Sequence, residues 1–198
     1  MRKTFFLIIF IFCCLFLFSK YEINLKLDKI LNESQLETEM KPTDENSFND
    51  DWISIQWIPT PDGFNFTMIN KINTTLSIIW DDSAFINEEG NTSKVMHGGV
   101  KFTEKGQSLP PTNIPLLAKI QDVILPVDYC YFGTAKKLGW GSGIKKWRNN
   151  PIWDEKINDK EFEKMKGKDL TFRVILNVKK GDEKRNYHFF FKAVAKKI

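Results

Sequence analysis

From residue 52 onward, apolar and polar residues alternate with a period of two. Ile53, Ile55 and Trp57 alternate with Ser54 and Gln56, which puts every second side chain on one face of an extended strand. Thr60-Pro61-Asp62-Gly63 then predicts a turn, after which Phe64, Phe66 and Met68 alternate with Asn65 and Thr67. A polar break over Asn70 to Thr74 precedes Leu76, Ile78 and Trp80. Weaker patterns follow over Lys94 to Phe102 and Lys119 to Leu125. The clearest pair comes last: Leu170, Phe172, Val174, Leu176 and Val178 share a face, Lys180-Gly181-Asp182 turns, and Tyr187, Phe189 and Phe191 return. These read as two antiparallel strands of a β-hairpin, with a longer turn that includes Glu183 and Lys184 as the alternative.

Helix is scarce. Asn158 to Lys166 is the best candidate, with Asn158 as cap, Glu161 three residues on, Phe162 and Met165 on one side and Gly167 as stop. Pro110-Pro111 and Pro115 keep the Thr103–Leu116 segment extended and out of any central strand. About seven short strands with almost no helix predict an all-β chain, an immunoglobulin-like two-sheet antiparallel sandwich with one short helix.

The first 51 residues do not share this pattern. Met1-Arg2-Lys3 is cationic and Thr4 to Ser19 carries no charge; this is the composition of a secretory signal or membrane-anchor helix over residues 1–19. The run is short beside the ~20 apolar residues of a full membrane span. No Ala-x-Ala cleavage site follows it, and Cys13 and Cys14 lack the small preceding residue that lipoprotein processing needs. Cleaved signal, retained anchor and lipidation at Cys13 or Cys14 therefore all stay open. Residues 20–51 hold nine acids and four lysines and read as a largely disordered acidic tether, with Ile23, Leu25, Leu27, Ile30 and Leu31 as a short amphipathic helix or a continuation of the anchor. The folded domain is then expected over residues 52–198.

Composition removes several chemistries. Of 198 residues, 17 are Phe and 6 are Trp, but only 2 are His and 3 are Cys. No Cys-x-x-Cys or His-x-x-x-His spacing exists, which leaves no zinc motif and no expected cofactor. Gly141-Ser142-Gly143 lacks the strand-to-helix setting of a nucleophile elbow, and Gly139 to Gly143 lacks the Gly-Lys-Ser/Thr ending of a phosphate loop. His97, before Gly98-Gly99, reads as a turn-bonding histidine. Cys130 reads as a buried small hydrophobe. A calcium alternative rests on Asp81, Asp82, Glu88 and Glu89, whose oxygens adjacent loops could gather.

Charge is uneven along the domain. Residues 52–129 have five bases and eight acids, whereas residues 130–198 have eighteen bases and eight acids. Within the basic half, Trp140, Lys145, Lys146, Trp147, Arg148 and Trp153 interleave indoles with cations. Such a stretch presents aromatic faces and positive charge together, and is the candidate binding surface. An envelope protein or an anionic surface polymer suits it. Nucleic acid does not, because no recognisable module is present.

Two blocks carry a resemblance. The first is Asn70, Ile78-Ile79-Trp80-Asp81-Asp82-Ser83, Gly90 and Ser93-Lys94-Val95-Met96-His97. The second is Gly99-Val100-Lys101, Pro110-Pro111-Thr112-Asn113-Ile114-Pro115 and Pro126. From about Asp51 to Ile198, and most densely from Phe64 to Pro126, the chain resembles small uncharacterised bacterial envelope lipoproteins with an immunoglobulin-like β-sandwich domain. The resemblance implies export, residence in the cell envelope and no catalytic residues; the missing lipidation site is a departure from it. The expectation is a monomeric, non-enzymatic binding module. A hydrolase using scattered carboxylates and a purely structural assembly protein are the alternatives.

Overall fold

The computed structural model describes residues 20–33, 39–134 and 145–198; the expected N-terminal helix lies outside them. The described chain is mostly β, and every strand pairing is antiparallel. In chain order the strands are β1 (Tyr21–Asn32), β2 (Ser47–Asn49), β3 (Ile53–Thr60), β4 (Gly63–Asn70), β5 (Leu76–Ile78), β6 (Ala84–Ile86) and β7 (Thr92–Met96). There follow β8 (Thr112–Ile114), β9 (Lys119–Pro126), β10 (Cys130–Thr134), β11 (Lys145–Asn149), β12 (Lys156–Ile157), β13 (Thr171–Lys180) and β14 (Glu183–Lys197), with helix α1 (Asp159–Met165) after β12. Twelve strands form one sheet, ordered β12-β1-β14-β13-β6-β7-β9-β4-β3-β2, with β5 on β13 and β8 on β5. Strands β10 and β11 stand apart as a two-stranded ribbon.

The turn read at Thr60–Gly63 and the hairpin read at the end of the chain both form. Thr60 pairs with Gly63 across Pro61-Asp62, and Lys180 pairs with Glu183 across Gly181-Asp182. Gly181 has φ 54°, a conformation that glycine adopts without steric cost. Helix α1 has the expected capping box: the Glu161 amide donates to Asn158 Oδ1 (3.1 Å) and the Asn158 amide donates to Glu161 Oε2 (2.9 Å). The proline-rich segment contributes only β8, which touches the sheet through β5. The Lys94–Phe102 pattern gives a strand only to Met96, and Phe102 opens a short 3-10 turn.

The described part of residues 20–51 is ordered into the sheet and corrects the tether reading there. Tyr21–Asn32 is a twelve-residue strand between β14 and β12, and Ser47–Asn49 pairs with β3. Ile23, Leu25, Leu27 and Ile30 are buried in the core. The register shifts at Asp28, between Leu27 and Lys29, and this bulge keeps Ile30 facing inward. Period-two burial, not charge count, decides the segment: the acids Glu22 and Asp28 alternate outward.

Asn46 closes the sheet. Its Oδ1 accepts from Leu27 N (2.6 Å), its Nδ2 donates to Leu25 O (3.4 Å), and its carbonyl accepts from Trp57 N (2.8 Å). One side-chain amide thereby stands in for a peptide unit on the free edge of β1 while its backbone holds β3. Met40 adds a two-bond bridge to Ile30 on the same edge. The curled sheet encloses an aromatic core in which Trp57 meets Phe189 (5.0 Å) and Phe191 (5.4 Å), and Phe64 meets Phe191 (5.0 Å) and Phe85 (5.6 Å).

Candidate functional site

The ribbon is where this chain exposes chemistry. Register sets Cys130 opposite Asn149, Tyr131 opposite Arg148, Phe132 opposite Trp147, Gly133 opposite Lys146 and Thr134 opposite Lys145. Successive residues point to opposite faces, so Phe132 and Trp147 share one face and Tyr131 and Arg148 the other. Phe132 is 56% exposed and Tyr131 41%. An isolated two-stranded ribbon is marginal in water, and three contacts anchor this one. The Trp147 ring packs between Phe132 (5.5 Å) and Phe102 (5.7 Å). Lys105 Nζ donates to Val127 O (3.3 Å) and Cys130 O (2.5 Å) and lies 5.8 Å from the Trp147 ring. The Cys130 thiol donates to Asn149 Oδ1 at 3.0 Å.

Glycine matters at one ribbon position. A Cβ on Gly133 would lie 2.7 Å from Cε2 of Tyr131, so the bare backbone is what lets the phenol ring lie along its own strand. On the same face, Arg148 Nε is buried and has no acceptor among the described residues. The ribbon therefore carries one solvent-facing aromatic ring on each face, with Arg148 beside Tyr131 and its Nε buried without an acceptor among the described residues.

The sequence candidates divide. Trp147 and Arg148 belong to the ribbon; Lys145 and Lys146 are in β11 by backbone register; Trp140 lies outside the described residues, as does Gly141-Ser142-Gly143. Trp153 is not brought to this surface. Its ring packs against Phe64 (6.2 Å) and Phe172 (6.1 Å) and its Nε1 donates to Ile23 O (3.2 Å), which makes it a core plug. Tyr131, Phe132, Phe102 and Lys105 escaped sequence reasoning. Tyr131-Phe132 beside Cys130 reads as core by composition, and only the pairing with β11, away from the main sheet, leaves the rings in solvent.

The residues of the calcium alternative, Asp81, Asp82, Glu88 and Glu89, do not come together as a metal-holding group among the described residues. Asp81 Oδ1 accepts from Leu109 N (3.0 Å) and Oδ2 from Ser108 Oγ, and Ser108 chiefly holds its carboxyl below the ordinary range. Asp82 pairs with Lys184 (2.9 Å), and Glu89 accepts from Asn91 Nδ2 (3.1 Å). No three His, Cys, Asp or Glu among the described residues form a metal-holding group. Cys130 is buried and unbridged, and burial pushes its thiol up, so the small-hydrophobe reading describes its position.

The blocks that carried the resemblance are joined to one another. Asn70 is fully buried; its Nδ2 reaches Thr74 O (2.7 Å), Ile114 O and Pro115 O (both 3.0 Å), and its Oδ1 accepts from Ile72 N. Trp80 Nε1 donates to Thr112 Oγ1 (2.9 Å), and Ser83 Oγ donates to Ile79 O (2.8 Å) while accepting from Asn177 N (3.1 Å). His97 stacks on Trp80 at 4.4 Å with Nδ1 3.2 Å from Asp122 Oδ2, and Asp122 Oδ1 accepts from Gly98 N. These groups are spent on holding β5, β7, β8 and β9 in place.

Comparison with known proteins returns no matching family model, no matching curated protein and no matching solved structure.

Proposed function

We propose that this chain is an exported, non-enzymatic module of a bacterial cell envelope, which makes its contacts through the β10–β11 ribbon. The curled sheet is read as an immunoglobulin-like two-sheet sandwich serving as scaffold, in keeping with the resemblance to small envelope lipoproteins. The cationic start and the uncharged Thr4–Ser19 run support export. The observation that carries the contact surface is that Tyr131 and Phe132 stay exposed, one on each face of a ribbon outside the main sheet, with Arg148 beside Tyr131 and Trp147 beside Phe132. Aromatic rings and arginine are the side chains that dominate binding energy at contact surfaces.

The test is photocrosslinking in the native envelope, with a photoreactive residue at position 132 or, as control, at the exposed Leu117. A discrete adduct at 132 and none at 117 is expected. Equal labelling at the two positions would remove the ribbon as the contact surface.

A further inference from the structure

The hydrogen-bond phase of the ribbon shows which of its backbone groups are unused. At the root, Asn150 N donates to Tyr129 O (2.8 Å), and this pair continues the β10–β11 register. Bonded and non-bonded pairs alternate along an antiparallel ladder. Tyr131 with Arg148 and Gly133 with Lys146 are therefore the bonded pairs. Cys130, Phe132 and Thr134 on β10, and Lys145, Trp147 and Asn149 on β11, turn their N–H and C=O groups to the two outer edges. Lys105 obeys this phase, since its Nζ takes the outward carbonyl of Cys130 (2.5 Å). The amide and carbonyl of Phe132 have no partner among the described residues.

The two edges differ in what they accept. Strand β11 reads Lys145-Lys146-Trp147-Arg148-Asn149, with three cations in five residues. Pairing it with its own copy about Trp147 would set Lys146 against Arg148 twice, and like charges directly opposite are destabilising. Strand β10 reads Cys130-Tyr131-Phe132-Gly133-Thr134 and has no charge. An uncharged edge with free N–H and C=O groups is a template for another strand.

Its own sequence fits that template. Paired antiparallel about Phe132, two copies of β10 exchange two backbone bonds between their Phe132 residues and set Tyr131 of each opposite Gly133 of the other. Tyr131 and Gly133 then meet at the non-bonded spacing, where Cα atoms approach to about 4.5 Å. A bare residue is what that approach needs, because the Tyr131 ring already leaves no room for a Cβ on Gly133 of its own strand. On the opposite face the Phe132 rings become neighbours, extending the Phe132–Trp147 contact (5.5 Å) into a row of four rings. The marginal two-stranded ribbon becomes four strands, ordered β11-β10-β10-β11.

We infer that a second copy of this chain pairs with the free edge of β10, through an isologous contact centred on Phe132. This rests on the ribbon-contacting reading above and names its partner. The contact is twofold and closes on itself. Five-residue strands bury less than the ~1,200 Å² of a stable interface, so the dimer forms and dissociates with concentration.

The test uses the full chain in detergent over a wide concentration series. Amide exchange at Phe132 should slow severalfold as concentration rises, while the outward Trp147 amide on β11 keeps its rate. Slowing at Trp147, alone or together with Phe132, would put β11 in the contact and overturn the twofold pairing; a Phe132 rate independent of concentration would overturn the dimer. Phe132→Pro removes an N–H that faces away from β11, so it should abolish self-association in density-matched sedimentation while Arg148 stays protected across the ribbon. Phe132→Ala keeps that N–H and should retain weakened association; a proline variant that associates like wild type would overturn edge pairing. In the native envelope, the photoadduct at position 132 should have twice the mass of the chain and end within residues 130–134 of the other copy. An adduct ending elsewhere in that copy would overturn the strand pairing. Capture of a different protein at 132 would overturn the second copy and leave the ribbon-contacting reading standing, whereas no adduct at 132 would overturn both.

Discussion

Asn46 is the most exacting test of how the sheet closes. It has φ 56°, a left-handed conformation that asparagine and glycine tolerate and alanine resists. Asn46→Ala removes the acceptor of the part-buried Leu27 N–H, at about 1–3 kcal/mol for an unsatisfied donor. It also places a Cβ without compensating hydrogen bonds in the left-handed region, at about 1–2 kcal/mol. The 3.4 Å bond to Leu25 O is long and adds at most about 0.5 kcal/mol. Alanine should therefore cost about 3 kcal/mol. Glycine relieves the backbone strain but loses the same bonds, so it should fall about 0.5–1 kcal/mol short of alanine after its own entropy is counted. Aspartate keeps the acceptor and should cost about 1 kcal/mol or less. For a domain of this size, 1 kcal/mol moves the midpoint by about 2–4 °C, so alanine should melt about 6–12 °C lower. Thermal unfolding in detergent ranks the three variants, and amide exchange at Leu27 reports the bond itself. An alanine variant melting with wild type, or an aspartate variant as weak as alanine, would refute the peptide-mimic account.

Other outcomes follow from local geometry. A Cβ on Gly63 would lie 2.7 Å from Leu125 Cδ2 and 3.0 Å from Ile124 O, so Gly63→Ala should lower stability by about 1–3 kcal/mol, read by denaturant titration. Burial, with Asp50 beside it, raises the Tyr187 phenol above its ordinary 10.0; the folded state holds that proton longer, so stability should fall as pH rises past about 10 and Tyr187→Phe should flatten that limb. Hydrogen bonding from Arg185 holds Asp51 low, and Asn186 chiefly does so for Glu33. The stability they contribute is present above the unfolded carboxylate values and is lost as pH falls, so Arg185→Met should shallow the acid limb of a melting-temperature profile below about pH 4. Removing residues 1–19 should leave a cooperative melt, whereas removing 1–32 should abolish it. The second deletion strips four buried core side chains, each contributing about 1.5–3 kcal/mol, from a fold with only about 5–15 kcal/mol in hand.

What could be read from the sequence was local. The Thr60–Gly63 and Lys180–Glu183 turns and the Asn158–Glu161 capping box each lie within a few residues, and each formed. Strand β1 was legible in principle, since Ile23, Leu25 and Leu27 alternate strictly. Nine acids in the surrounding segment weighed against it, yet a strand with one buried face tolerates any charge on the other. Asn46 carried no sequence signal, because its partners at Leu25, Leu27 and Trp57 are brought to it by the fold. The same holds for Arg185, which reaches Asp50 (3.1 Å) and Asp51 (2.6 Å) and lies 4.1 Å from the Trp52 ring. The basic, Trp-bearing stretch pointed at the ribbon by charge alone. It took Trp153 as part of that surface, because spacing cannot tell an indole on a ribbon from one plugging a core six residues later.

The pairing of the first strand with the last bears on how such a chain is delivered. Strand β1 forms its long ladder with β14, from Tyr21 against Lys197 to Asn32 against Tyr187. The inward side chains of β1 therefore find their partners only when the final fifteen residues are present. Contacts this distant in sequence slow folding, because loop closure must precede any gain from pairing. An emerging chain has no completed sheet to fold into, and its apolar N-terminal run is free to be engaged before β1 is sequestered. Late closure at the N-terminal strand and an uncharged segment immediately before it are thus mutually consistent. Strand β1 is therefore the element expected to dock last, and pulsed amide exchange during refolding should show Leu25 and Leu27 protected after Val174 and Leu176, which pair within the local β13–β14 hairpin.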